Sequence, residues 1–207
     1  GAHPPRHPRP RRRPRGRVTT MARPPVTSGD VAPRPLVLVL GGQRSGKSRW
    51  AEQRLAAAGL AKTYIATAEA YDDEMHARIA LHRARRGTDW SLIEAPLALP
   101  RAIGETTAPD RAVLVDCLTL WLTNVLVAER EVQADIDALL AALAARAGPV
   151  VLVGNEVGSG VIPMNALARR FVDEAGQLHQ RIAAIADEVV LVTAGLAQLL
   201  TGQARSD

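Results

Sequence analysis

The chain has a single cysteine, Cys117, in 207 residues, so no disulfide can close within it and a reducing compartment is expected. Aromatic residues make up only 3%, which leaves the core to Leu, Val, Ile and Ala. Lysine is nearly missing: Lys47 and Lys62 are the only two, and neither follows an asparagine. The Asn-Lys-x-Asp element with which switch GTPases read guanine is therefore absent. No run of 18 apolar residues occurs, so no membrane span is expected. The N-terminus has no apolar signal core. A cytoplasmic protein is the resulting expectation.

Charge is unevenly placed. Residues 1–34 hold nine arginines against one acid, Asp30, a net of +8, and the rest holds 17 basic and 20 acidic side chains, a net of −3. Nine of the fourteen prolines fall within residues 1–35. Such a segment buries too little apolar surface to offset its ordering entropy, so a disordered basic tail is expected, with Met21 as a candidate start residue. Because the remainder is mildly acidic, nucleic acid is not the expected partner. One domain over residues 35–207 is expected.

Beyond the tail, short apolar runs alternate with helical stretches. Strands are expected at Leu36–Leu40, Thr63–Ala68, Ser91–Glu94, Ala112–Cys117, Val150–Val153 and Glu188–Thr193. Helices are expected at Lys47–Ala58, Asp72–Arg86, Leu97–Thr106, within Leu118–Ala147, and at Asn165–Ala186. This alternation predicts an α/β protein with a mostly parallel sheet covered on both faces. Cys117, at the end of a buried strand, reads as packing.

Gly41, Gly42, Gln43, Arg44, Ser45, Gly46, Lys47 and Ser48 spell G-x-x-x-x-G-K-S between a strand and a helix. Glycines let such a loop wrap phosphate with backbone N–H groups at a helix N-terminus. Lys47 is placed to reach the β- and γ-phosphates, and the Ser48 hydroxyl to ligate Mg²⁺. A P-loop also calls for a carboxylate at a neighbouring strand end, and Asp116 closes the run A-V-L-V-D. The expected fold is a RecA-like P-loop NTPase of three layers.

On a helix, His82 shares a face with Arg78, Arg85 and Arg86. Guanidinium groups favour the neutral, nucleophilic imidazole and can neutralise a triphosphate. Taken by spacing alone, His82 reads more often as a solvated surface histidine than as a nucleophile. His76 lies about 240° around the same helix and cannot share the role. The loop Asn155–Pro163 follows a strand end, where open α/β sheets bind ligands, and reads either as a binding loop or as a turn into the long helix.

Six blocks in order carry a resemblance. They are G-G-Q-R-S-G-K-S-R (41–49), Y-I-A-T-A-E (64–69), D-E-M-H-A-R-I-A-L-H-R (73–83), W-S-L-I-E (90–94), D-C-L-T-L-W-L-T-N (116–124) and N-E-V-G-S-G-V-I-P (155–163), with L-A-R-R-F-V-D-E-A-G (167–176) after them. From Leu36 onward the chain resembles the bifunctional adenosylcobinamide kinase and adenosylcobinamide-phosphate guanylyltransferase family of cobalamin biosynthesis. The resemblance implies ATP or GTP as phosphoryl donor, GTP as guanylyl donor, Mg²⁺, and adenosylcobinamide and its phosphate as substrates. It also implies a GMP–histidine intermediate on His82, and a homotrimer. Nucleotide-contacting positions would fall on Gly41–Ser48, on Thr67, Ala68 and Glu69, on Arg83, Ala84, Arg85 and Arg86, on Glu94, and on Asp116. Asp116 stands where the family often has Glu. Glu94 would bond the guanine N1 and N2 donors. The alternatives are a P-loop kinase of another small molecule and a nucleotide-dependent regulatory protein.

Overall fold

The computed structural model describes residues 34–68 and 90–200. The apolar run Leu36–Gly41 forms the first strand (β1), buried at every position, as a strand covered on both faces must be. Helix Lys47–Ala56 (α1) follows, then strands Ala61–Ala66 (β2) and Trp90–Glu94 (β3), helix Leu99–Thr106 (α2) and strand Arg111–Asp116 (β4). Helices Leu118–Val127 (α3) and Val132–Ala144 (α4) lead to strand Val150–Asn155 (β5), and helix Ala166–Ala183 (α5) to strands Glu188–Thr193 (β6) and Leu196–Leu199 (β7). No helix among the described residues is long and apolar enough to cross a membrane.

The seven strands form one sheet in the order β3-β2-β4-β5-β1-β6-β7, parallel throughout except for the β6–β7 hairpin. The expected α/β class and parallel sheet are therefore present. Side-chain alternation sorts the core into two layers. Leu36, Leu38, Leu40, Val113, Val115, Val150 and Leu152 face α2, α3, α4 and α5, around the fully buried Trp121. Val37, Val39, Leu114, Val151 and Val153 face α1 through Ala51 and Leu55.

Several boundaries differ from the sequence-based expectation. The expected strand Thr63–Ala68 ends at Ala66, because Thr67 turns its hydroxyl and N–H onto residues 116 and 117 instead of continuing the ladder. The helical stretch 118–147 breaks into α3 and α4 where Glu129 adopts a left-handed φ of 51°. Strand β7 was not expected at all; it returns through Ala194 and Gly195, both with positive φ, which is hairpin-turn geometry. The expected helix Asp72–Arg86 and the basic tail up to residue 33 lie outside the described residues.

Candidate active site

All five parallel strands from β3 to β1 end on one edge of the sheet. Ala66 pairs in register with both Glu94 and Asp116, Asp116 pairs with Val153, and Gly41 pairs with Asn155. By alternation from Leu92, Ala66, Leu114 and Val153, the side chains of Glu94, Asp116 and Asn155 belong to the face that carries α1. The other acids near strand ends are elsewhere. Asp187 accepts from the Leu36 N–H at 2.7 Å, and Glu188 pairs with Arg54 at 2.9 Å, both at the opposite edge.

The loop from Gly41 to Ser48 joins β1 to α1. Gly46 stands at the helix N-cap with φ 97°, a conformation that favours glycine. Gly41 is demanded by close approach: a Cβ there would run into the Val192 carbonyl of β6 and the Ser45 side chain. The Gly195 N–H donates to the Ser45 carbonyl at 2.8 Å, so the unexpected hairpin turn braces the loop from behind. Gly42, Gln43 and Arg44 form the exposed rim. Lys47 is buried, with its Nζ donating to the Gly42 carbonyl at 3.0 Å, which folds the ammonium back over the loop. Ser45 Oγ is buried with no hydrogen-bond partner, as expected of a cradle whose partner is a ligand.

These observations carry a prediction. Gly41→Ala should destabilise the nucleotide-free protein by roughly 1–3 kcal/mol and lower its melting temperature, because the clash with the Val192 carbonyl cannot be relieved by a rotamer. Gly42→Ala meets nothing within 4 Å and should melt like wild type. Paired thermal melts of the two variants check this.

Asp116, half-buried at the end of β4, accepts a hydrogen bond on Oδ2 from the Tyr64 hydroxyl at 3.1 Å. The peptide bond that follows it is cis. Thr67 is fully buried; its Oγ1 donates to the Cys117 carbonyl at 2.7 Å and accepts from the Cys117 N–H at 2.8 Å. Its hydroxyl is thus spent on holding two strand ends together. Asn124, from α3, donates to the Thr67 carbonyl at 2.8 Å and to the Pro96 carbonyl at 3.1 Å, a buried clamp that sequence reading did not single out. Burial, with Asp116 beside it, pushes the Cys117 thiol up to about 11, so it is a protonated packing group at neutral pH.

Glu94 ends β3, exposed. Its strand lies four inter-strand steps from β1, which is roughly 19 Å along the edge. His82, Glu69, Arg83, Ala84, Arg85 and Arg86 lie outside the described residues. His179 can be placed: it is buried in α5, packed behind Gly154 and Leu40 on the layer away from α1, and burial pushes its pKa down, with Glu156 pulling the other way. It is unavailable as a nucleophile at this edge.

The described residues hold no group of three or more His, Cys, Asp or Glu that could cage a metal ion. Ser48 and Asp116 offer two hard oxygens, the donor set of a Mg²⁺ that takes its other ligands from phosphates and water. The residues fit that cation.

A parallel sheet with a G-x-x-x-x-G-K-S loop after β1, a carboxylate on β4 and β5 inserted between them defines a RecA-like P-loop nucleotide-binding protein. Residues 37–200 match the model of the family described as cobinamide kinase / cobinamide phosphate guanyltransferase. The chain belongs to that family. It is 50% identical over 168 residues to the bifunctional adenosylcobalamin biosynthesis protein CobP of Pseudomonas aeruginosa, covering 80% of this chain and 97% of that protein. It is 43% identical over 176 residues to the bifunctional adenosylcobalamin biosynthesis protein CobU of Salmonella typhimurium, covering 78% and 97%. Among solved structures, the RadB recombinase is similar with a TM-score of 0.44 at 21% identity, covering 79% of this chain and 76% of that one.

Proposed function

We propose that this chain phosphorylates the aminopropanol hydroxyl of adenosylcobinamide with ATP or GTP. It then transfers GMP from GTP to the new phosphate through a GMP–histidine intermediate on His82. The observation that carries this is the buried Lys47 in its phosphate loop, sharing one sheet edge with Asp116 and Glu94, in a chain whose family performs kinase and guanyltransferase chemistry.

In the first step the hydroxyl oxygen bonds to the γ-phosphorus, the bridge to the β-phosphate breaks, and the hydroxyl proton is lost. Lys47 and the loop N–H groups hold the γ-phosphate and its developing charge. Ser48 and Asp116 would hold Mg²⁺, which would supply charge neutralisation to the triphosphate. In the second step the neutral His82 imidazole bonds to the α-phosphorus of GTP and pyrophosphate leaves. The corrinoid phosphate then takes the GMP, breaking the P–N bond, restoring His82 and giving adenosylcobinamide-GDP. Glu94 would read guanine. With the phosphates in the loop, a nucleotide reaching Glu94 must lie extended along the edge, past Asp116 and Ala68.

Incubation with α-labelled GTP tests this reading against a simple kinase. Label that stays on the protein in base and leaves in mild acid is a phosphoramidate and supports it. A protein that phosphorylates adenosylcobinamide but never takes up α-label contradicts the guanylyl half.

We further propose that residues 1–34 lie outside the catalytic unit and that the protein works in the cytoplasm as a homo-oligomer. Every motif begins after Leu36, and the exposed Leu196 and Leu199 on edge strand β7 offer a surface for self-association. A chain starting at Ala32 should keep its specific activity in both reactions. A large loss from a folded truncation would place the tail in the site.

A further inference from the structure

We propose that Asn155 is a further residue of the phosphoryl-transfer site, its side-chain oxygen receiving an O–H donor at the γ-phosphate end of the nucleotide. The inference rests on the kinase reading above. The donor is the acceptor hydroxyl of the corrinoid or a water held by the cation.

Asn155 ends β5, the strand inserted between the phosphate loop's strand and that of Asp116, and pairs in register with Gly41, the first residue of the loop. It shares the α1 face with Asp116, and its neighbour Glu156 is tied to the loop by a hydrogen bond from the Glu156 N–H to the Gly41 carbonyl at 3.0 Å. Its amide is oriented from behind. Nδ2 donates to Thr119 Oγ1 at 3.1 Å, and that hydroxyl lies 3.1 Å from Cys117 Sγ, inside the buried network that links the ends of β4 and β2. With Nδ2 engaged, Oδ1 is left buried and without a partner.

An amide half-satisfied and half-orphaned is costly in a folded protein, and a buried acceptor of this kind wants a donor. Phosphate oxygens are acceptors and cannot satisfy it. An alcohol or a water can. The residue's position beside the loop rather than out towards Glu94 assigns it to the γ-phosphate end and to the first reaction, not to attack at the α-phosphate.

Asn155→Leu keeps the heavy-atom branching of the side chain and removes both polar atoms. It should leave the melting temperature of the nucleotide-free protein unchanged, since an unpartnered oxygen is lost together with one hydrogen bond. Kinase turnover should fall about 10- to 100-fold, while GMP–enzyme adduct formation from GTP stays near wild type. Asn155→Ser, too short to reach, should give the same split and carries the test if the leucine variant does not fold. The two donors separate by titration. If the donor is a cation-bound water, the Mg²⁺ concentration for half-maximal kinase rate rises, and Mg²⁺ with a non-hydrolysable triphosphate stabilises the variant less against heat than it stabilises wild type. If it is the acceptor hydroxyl, Mg²⁺ dependence is unchanged and the loss persists at saturating Mg²⁺. Unchanged kinase turnover in a folded variant would overturn the proposal. So would equal losses in both half-reactions together with a lowered melting temperature, which is the signature of a structural residue. Wild-type protein without kinase activity would instead refute the reading on which the proposal rests.

Discussion

Lys47→Ala should slow kinase turnover by roughly 10²- to 10⁴-fold, the equivalent of about 3–5 kcal/mol of transition-state stabilisation. The lysine is the first residue of α1 and is buried, so its ammonium acts where water screens it least. Its 3.0 Å bond to the Gly42 carbonyl keeps the charge over the loop before any nucleotide arrives. Guanylylation should fall too, because one loop is proposed to hold the triphosphate in both reactions. Steady-state rates and adduct yields with matched thermal melts check this. Wild-type rates in a folded Lys47→Ala protein would remove the loop from the mechanism.

His82→Ala should reduce both adduct formation and adenosylcobinamide-GDP synthesis to background, while adenosylcobinamide phosphate still forms. The γ-phosphate can pass directly to the corrinoid hydroxyl without an imidazole. Kinase turnover is expected to fall modestly, since the neighbouring arginines are proposed nucleotide contacts. Peptide mapping of the wild-type adduct should place GMP on His82 and not on His76. His179 is already an unsuitable site, buried in α5 on the layer away from the loop. A folded His82→Ala protein that makes adenosylcobinamide-GDP at the normal rate would mean that GMP passes directly between substrates.

The phosphate loop, β1, α1 and the strand-end position of Asp116 were legible in the sequence because each signal is local: one apolar run leads straight into a glycine-bearing loop, and another closes on its own carboxylate. Strand β7 was hidden because its turn is Ala194–Gly195 rather than the Asn-Gly that marks such hairpins, and all four of its residues are exposed. Asn155 was visible only as the start of a glycine-bearing loop. Its place beside Gly41 follows from β5 inserting between β1 and β4, and alternation of strands and helices does not encode that order. Thr67 matched a family motif, yet its hydroxyl turns out to be engaged with Cys117 across two strands, a pairing no spacing rule contains. Nor did the sequence announce the brace from Gly195 to Ser45, which joins segments 150 residues apart.

The most direct measurement of the central claim is the mass of the products. The full chain is incubated with adenosylcobinamide and Mg²⁺, once with ATP alone and once with GTP. A gain of one phosphoryl group is expected with ATP, and with GTP conversion onward to adenosylcobinamide-GDP with release of pyrophosphate. Unchanged adenosylcobinamide in both reactions, with the triphosphates bound or hydrolysed, would contradict it.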